Sequence, residues 1–292
     1  MVGLLLVDVY LWRAGYGDFP TYLVDDEIGY IPKPSQAGVF AHQYPWYFNR
    51  HSMRNEPFVS DPESGILVLG DSIVFGGGID YQPEERLGSC LAILAPEYRV
   101  WSASAGSWSF LNELAYLRRN QDVVDGVQCI IWVLNSGDLS TRSLWSSESS
   151  HPTHKPAWLA LFLATKWARS NGIIPPSDGW AQAEAVGVET RSALLELPEE
   201  IKNKSIFVLF PNKEETEYMR RGQVPKLYSE IQSILLETGV PCVSLPADWA
   251  ENDDYRDGIH PSPAGNIRLA HQLSRILREV KTGSTSDLVK RE

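Results

Sequence analysis

The sequence predicts an α/β fold, a three-layer α/β/α sandwich around a five-stranded parallel sheet. Three observations point there. Short apolar runs recur along the chain and alternate with stretches of helical spacing, the pattern of strands joined by right-handed crossovers. Cys129 to Leu134 is apolar throughout, as a central strand covered on both faces must be. The first of the runs ends abruptly in Gly70-Asp71-Ser72, and the C-terminal end of such a strand is where open α/β sheets place their ligands.

Taken in order, residues 1–60 read as an N-terminal helix and an extended arm packed on the domain. The apolar stretch from Met1 to Trp12 is too short to span a membrane and is interrupted by Asp8. No basic start or small-residue cleavage site marks a signal peptide. The stretch is either a docked helix or the end of an anchor that begins upstream. The protein is accordingly cytoplasmic, or extracytoplasmic and membrane-associated through its N-terminus. Ile28 to Pro34, with two prolines, reads as extended.

The domain proper is expected over 61–281. Strands are expected at Ile66 to Leu69, Arg99 to Ala103, Cys129 to Leu134, Ile206 to Phe210 and Pro241 to Leu245. Helical spacing runs over Pro83 to Leu94, Phe110 to Arg119, Lys226 to Glu237 and Pro263 to Val280. Residues 139–204 are long for one crossover. They read as an insertion over the active-site mouth, with a serine-rich loop at 146–150 and a helix near Trp158 to Trp167. Residues 282–292 form a polar tail.

Composition excludes several classes of function. Acidic residues outnumber basic ones by 37 to 26, a formal net charge of −11, and no stripe of Lys and Arg offers a nucleic-acid surface. Cys90, Cys129 and Cys242 are far apart and lie in apolar runs, so buried free thiols are expected in place of a disulfide framework or zinc site. His42, His51, His151, His154 and His271 read as structural or surface residues, and no metal is expected. Gly76-Gly77-Gly78 is not followed by Gly-Lys-Ser/Thr, which argues against a nucleotide site. No cofactor is expected.

The chemistry-bearing residues lie at opposite ends of the domain. Ser72 is the candidate nucleophile, and a serine hydroxyl needs a base. Asp257 stands three residues before His260, a spacing that lets the carboxylate accept one imidazole N–H within a single loop. The other ring nitrogen is then free to take the serine proton. One oxyanion donor is expected from the Ser72 backbone N–H.

Gly70-Asp71-Ser72 together with Asp257-x-x-His260-Pro261-Ser262-Pro263-Ala264-Gly265-Asn266 resembles the SGNH (GDSL-like) hydrolase family. The resemblance spans about Gly65 to Leu277 and implies a flavodoxin-like fold. The arm and Asn49 to Arg54 are similar to bacterial polysaccharide-associated members, although the expected glycine of an Asn-x-x-Gly-x-Arg turn is Ser52 here. The family implies a second oxyanion donor after strand two, best matched by Gly106 with Ser107 beside it, and a third from an asparagine in Gly-x-Asn-Asp. Here that block reads Asn135-Ser136-Gly137-Asp138. Either Asn135 reaches the pocket from two residues earlier, or the side-chain donor is missing and a backbone N–H of Gly137 serves. Asp71, Trp108 and Gly137 are expected on the substrate side. Trp108 and Trp145 are read as sugar-stacking platforms or as packing. The resemblance implies a serine esterase that removes an O-acyl, foremost O-acetyl, group from a carbohydrate through an acyl-serine intermediate. The alternatives are acyl transfer to a polysaccharide, or a decayed carbohydrate-binding or assembly protein.

Overall fold

The computed structural model describes residues 2–174 and 185–281. The expected tail at 282–292 and part of the 139–204 insertion lie outside the described residues. The chain opens with α1 (Val2–Arg13) and two antiparallel hairpins, β1 (Tyr22–Asp25) with β2 (Gly29–Pro32) and β3 (Gln36–Phe40) with β4 (Tyr44–Phe48). Then follow β5 (Asp61–Gly70), α2 (Ser72–Phe75), α3 (Leu87–Leu94), β6 (Arg99–Ser104), α4 (Phe110–Arg119), α5 (Gln121–Asp125) and β7 (Val127–Leu134). The rest comprises α6 (Leu159–Ser170), α7 (Val188–Leu195), α8 (Glu199–Lys202), β8 (Ser205–Leu209), α9 (Lys213–Arg220), α10 (Lys226–Glu237), β9 (Cys242–Ser244) and α11 (Pro263–Lys281).

Strands β6-β5-β7-β8-β9 form one sheet in that order, every pair parallel. The three-layer α/β/α sandwich is therefore the fold. Alternation along the strands feeds two cores. Leu67, Leu69, Ile130, Trp132 and Phe207 face one layer with Leu114, Leu117 and Ile231 of α4 and α10. Ile66, Val68, Ile131, Val133 and Ile206 face the other with Leu87 and Leu91 of α3 and Leu269, Leu273 and Leu277 of α11. This two-sided burial explains why Ile66 to Leu69 and Cys129 to Leu134 carry no polar residue.

Several local expectations are revised. The segment after α1 is more than an extended arm, because Ile28 to Pro34 overlaps the second strand of a hairpin. Pro83 to Leu94 is not one helix. Arg86 leaves the helical region (φ −79°, ψ 147°) between a 3-10 turn at Pro83–Glu85 and α3. Its guanidinium is instead turned to the carbonyls of Pro83 and Arg54. The three cysteines are free thiols; Cys90 and Cys242 are buried as expected, and Cys129 is only partly buried.

Among the described residues no helix is long and apolar enough to cross a membrane. Helix α1 lies against α6, and its one acidic residue explains how. Asp8 is buried, and its carboxylate accepts the N–H of Ala160 at 2.7 Å, one of the donors that the first turn of α6 leaves unpaired. Leu4, Leu5, Leu6, Val9 and Tyr10 remain exposed. Asp8→Ala is expected to cost about 1 kcal/mol of cap energy and to make α1 more susceptible to limited proteolysis. Cleavage rates near Arg13, against an unchanged core, check this.

Candidate active site

Ser72 sits where the sheet changes direction. β5 pairs with β6 on one side and β7 on the other, with Gly70 level with Ser104 and with Val133. The loops after these three strands therefore emerge side by side, at the crevice that parallel sheets use for ligands. The helix carrying Ser72 is a single turn. Asp71 caps it by accepting the N–H of Ile73 at 2.8 Å, and Gly76 and Gly77, both with positive φ, close it on the carbonyl of Ser72. Glycine is required there for a left-handed exit.

His260 arrives from a loop that Asp257 folds. One oxygen of Asp257 accepts the backbone N–H groups of Ile259 (2.9 Å) and His260 (2.8 Å). The other is 2.8 Å from His260 Nδ1, and His260 Nε2 is 2.9 Å from Ser72 Oγ. The hydroxyl, imidazole and carboxylate are thus in line across 188 positions of sequence. Burial alone would raise the Asp257 carboxyl, but the imidazole and the two amides outweigh it and hold it well below the usual carboxylate range. Gly77 backs the ring, since a Cβ there would meet His260 Cγ at 3.0 Å.

Gly106 and Ser107 occupy a turn just after β6, in which Trp108 N–H donates to the Ala105 carbonyl at 3.3 Å. Among the described residues, the N–H groups of Gly106 and Ser107 have no acceptor, whereas the Ser72 N–H lies against the Asp71 carboxylate.

Neither reading of the third donor matches the structure. Both donor contacts of the Asn135 amide go to carboxylates, Asp138 at 2.8 Å and Asp71 at 3.2 Å. The N–H of Gly137 donates to Asn135 Oδ1 at 2.7 Å. A buried amide in that position braces Asp71 beneath the nucleophile and has no donor left for an oxyanion. Trp108 is also revised: its ring is buried and its N–H donates to the Tyr30 carbonyl at 2.8 Å, so it packs and offers no stacking face. Trp145 is partly buried and donates to the His151 carbonyl. Asp71 is a buried cap and not an exposed substrate contact, although one of its oxygens lies 3.2 Å from Ser72 Oγ.

Asp71, Glu113 and Asp138 form a buried group of carboxyls behind Ser72. Burial raises all three, and the proximity of their charges raises Glu113 and Asp138 further. Neither oxygen of Glu113 has a hydrogen-bond partner among the described residues. Glu113 was not singled out by the sequence, where it reads as an ordinary first-turn acid of α4.

Other side chains reach the site from the N-terminal segment and the insertion. Tyr30 and His151 both contact the Gly106 carbonyl, at 2.6 Å and 3.0 Å. Arg54, buried beneath the glycine-rich loop, donates to the carbonyls of Phe75 (2.7 Å) and Gly78 (2.8 Å). Ser52 has φ 58°, so it adopts the left-handed conformation that a glycine would adopt without strain. The remaining histidines stand apart: His42 contacts the Arg13 carbonyl, His51 contacts Asn120, and His154 lies 3.4 Å from Glu148. Among the described residues no three His, Cys, Asp or Glu side chains gather as a metal site.

No family model matches the sequence, and no curated protein matches it. Solved structures similar to it include a lipase/acylhydrolase from Enterococcus faecalis, 16% identical over 73% of this chain and 95% of that one, with a TM-score of 0.45. A carbohydrate acetylesterase from Sinorhizobium meliloti is 15% identical over 75% and 100% of the two chains, with a TM-score of 0.41. A member of the lipolytic G-D-S-L family from Veillonella parvula is 12% identical over 73% and 97%, with a TM-score of 0.39.

The buried carboxyls make stability depend on pH in a defined direction. A carboxyl raised on folding binds its proton more tightly in the folded chain. Its stabilisation is complete below the ordinary carboxylate range and is lost as pH rises through the raised value. Asp257 has the opposite sign, contributing above the ordinary range and losing its contribution as pH falls. Glu113→Gln is therefore expected to shrink the stability difference between pH 5 and pH 8. Urea unfolding at the two pH values measures it.

Proposed function

We propose that this chain is a serine esterase of the SGNH type, with 61–281 as the hydrolase domain and 1–60 packed against it. The observation that carries the reading is the continuous hydrogen-bond path Asp257–His260–Ser72, with links of 2.8 and 2.9 Å. In the first step Ser72 Oγ forms a bond to the ester carbonyl carbon while its proton passes to His260 Nε2. The charge that collects on the carbonyl oxygen is received by backbone N–H groups of the Gly106–Ser107 turn. The intermediate collapses as His260 returns the proton to the departing alkoxide, leaving acyl-Ser72. His260 then takes a proton from water as the water oxygen bonds to the acyl carbon, and returns it to Ser72 Oγ as the Oγ–acyl bond breaks and the carboxylic acid leaves.

The groups after the strand ends are small or polar: Gly77, Gly78, Gly106, Ser107, Ser136 and Gly137. They support a short acyl group, foremost acetyl, on a polar alcohol, foremost a carbohydrate hydroxyl. The exposed apolar side chains of α1 support contact with a membrane surface through the N-terminus. With all three catalytic groups in register, the non-catalytic reading is disfavoured.

The test is turnover of p-nitrophenyl acetate by the parent, Ser72→Ala, His260→Ala and Asp257→Asn chains. Each substitution is expected to lower kcat by about 10³-fold or more. Retention of turnover by Ser72→Ala overturns the reading. Adding an unacylated glycan separates hydrolysis from transfer, because an acyltransferase would release nitrophenol faster and yield acylated glycan.

A further inference from the structure

Gly106 and Ser107 are the central residues of a four-residue turn from Ala105 to Trp108, closed by the 3.3 Å bond between its ends. Ser107 has φ 61°, while the φ of Gly106 lies outside the left-handed region. A positive φ at the third residue alone gives the turn a type II sense, a form that normally places glycine there. Here the serine occupies the strained position and the glycine does not. A non-glycine residue in that region costs on the order of 1 kcal/mol, and it persists only when its surroundings impose it.

The surroundings are specific. The peptide joining Gly106 to Ser107 is the one whose orientation distinguishes type II from type I. Its carbonyl is held from two sides, by the Tyr30 hydroxyl donating at 2.6 Å and by His151 Nε2 at 3.0 Å. The two rings are stacked on each other with centroids 4.0 Å apart, and Tyr22 meets His151 edge-on at 4.9 Å. Tyr30 is itself fixed through its own carbonyl, which accepts the Trp108 indole N–H at 2.8 Å. Because a trans peptide is planar, its N–H points opposite to its carbonyl. Fixing the Gly106 carbonyl therefore fixes the direction of the Ser107 N–H, and the relaxed type I turn would reverse it.

Resting on the esterase reading above, we propose that Tyr30 and His151 are positioning residues that hold the Gly106–Ser107 peptide in its strained orientation, so that the turn presents its N–H groups to the oxyanion. The N-terminal hairpin and the insertion after β7 thus act together on the catalytic centre without touching substrate. Tyr30 lies 76 positions and His151 lies 45 positions from the glycine they hold.

The experiment compares the parent with Tyr30→Phe/His151→Gln, Ser107→Gly, and the three substitutions combined. On p-nitrophenyl acetate the double variant is expected to lose about 10–100-fold in kcat with little change in KM, because only transition-state stabilisation is removed. Ser107→Gly removes the strain, so adding it to the double variant is expected to recover most of that loss, which a general loss of packing would not permit. The amide NMR signals of Gly106 and Ser107 supply a readout independent of activity and are expected to shift or broaden in the double variant as the peptide flips. Unchanged amide signals together with kcat within about threefold of the parent would overturn the proposal. The Ser72→Ala control addresses the esterase reading separately, since its activity bears on the nucleophile and the amide signals bear on the turn.

Discussion

A single 2.9 Å contact between a hydroxyl and an imidazole joins the first strand of the sheet to the loop before the last helix. Almost every feature of the domain serves to deliver those two atoms. β5 lies between two parallel neighbours, which fixes the height at which Ser72 leaves the sheet. Helix α11 packs on α3 through Leu269, Leu273 and Leu277, which anchors the chain immediately after His260. Asp257 then folds the remaining loop by accepting two backbone amides as well as the ring nitrogen. Two side chains 188 positions apart can be held within hydrogen-bond distance only by this much scaffolding.

The sheet was legible because its strands are covered on both faces. Leu67 and Leu69 point one way and Ile66 and Val68 the other, so the run carries no polar interruption and ends only where the chain reaches the site. The same logic located helices such as Phe110–Arg119 and Lys226–Glu237 to the residue. The N-terminal hairpins were harder to read. In β3 the partly buried and exposed residues alternate without a strong apolar set, and pairing with β4 depends on a partner that the sequence does not announce. Short helices such as α5 and α8 carry too few turns for a period to show.

Ser72, Asp257 and His260 stood out in sequence because an apolar run ending in Gly-Asp-Ser and an Asp-x-x-His spacing suit a hydroxyl, an imidazole and a carboxylate in line, and the fold brings the three together. The oxyanion loop could be named only in part. Whether Asn135 donates to an oxyanion or braces carboxylates depends on where its amide turns, and in the folded chain Asp71 and Asp138 claim it. Trp108 was similarly undecided between a surface platform and a core ring until Tyr30 supplied the partner for its indole nitrogen. Glu113 shows the reverse difficulty. An acid in the first turn of a helix is an ordinary surface pattern, and only the fold buries it.

A glycine lies directly against the imidazole. Gly77 approaches His260 so closely that even a methyl group would press on the ring at 3.0 Å. The absent side chain therefore leaves the room in which the imidazole sits beside Ser72. The same glycine carries a left-handed φ of 68°, so the space beside the ring and the exit from the Ser72 helix depend on one residue. A change at this position would retune the reach of the base and the seating of the hydroxyl together, and neither could drift without the other.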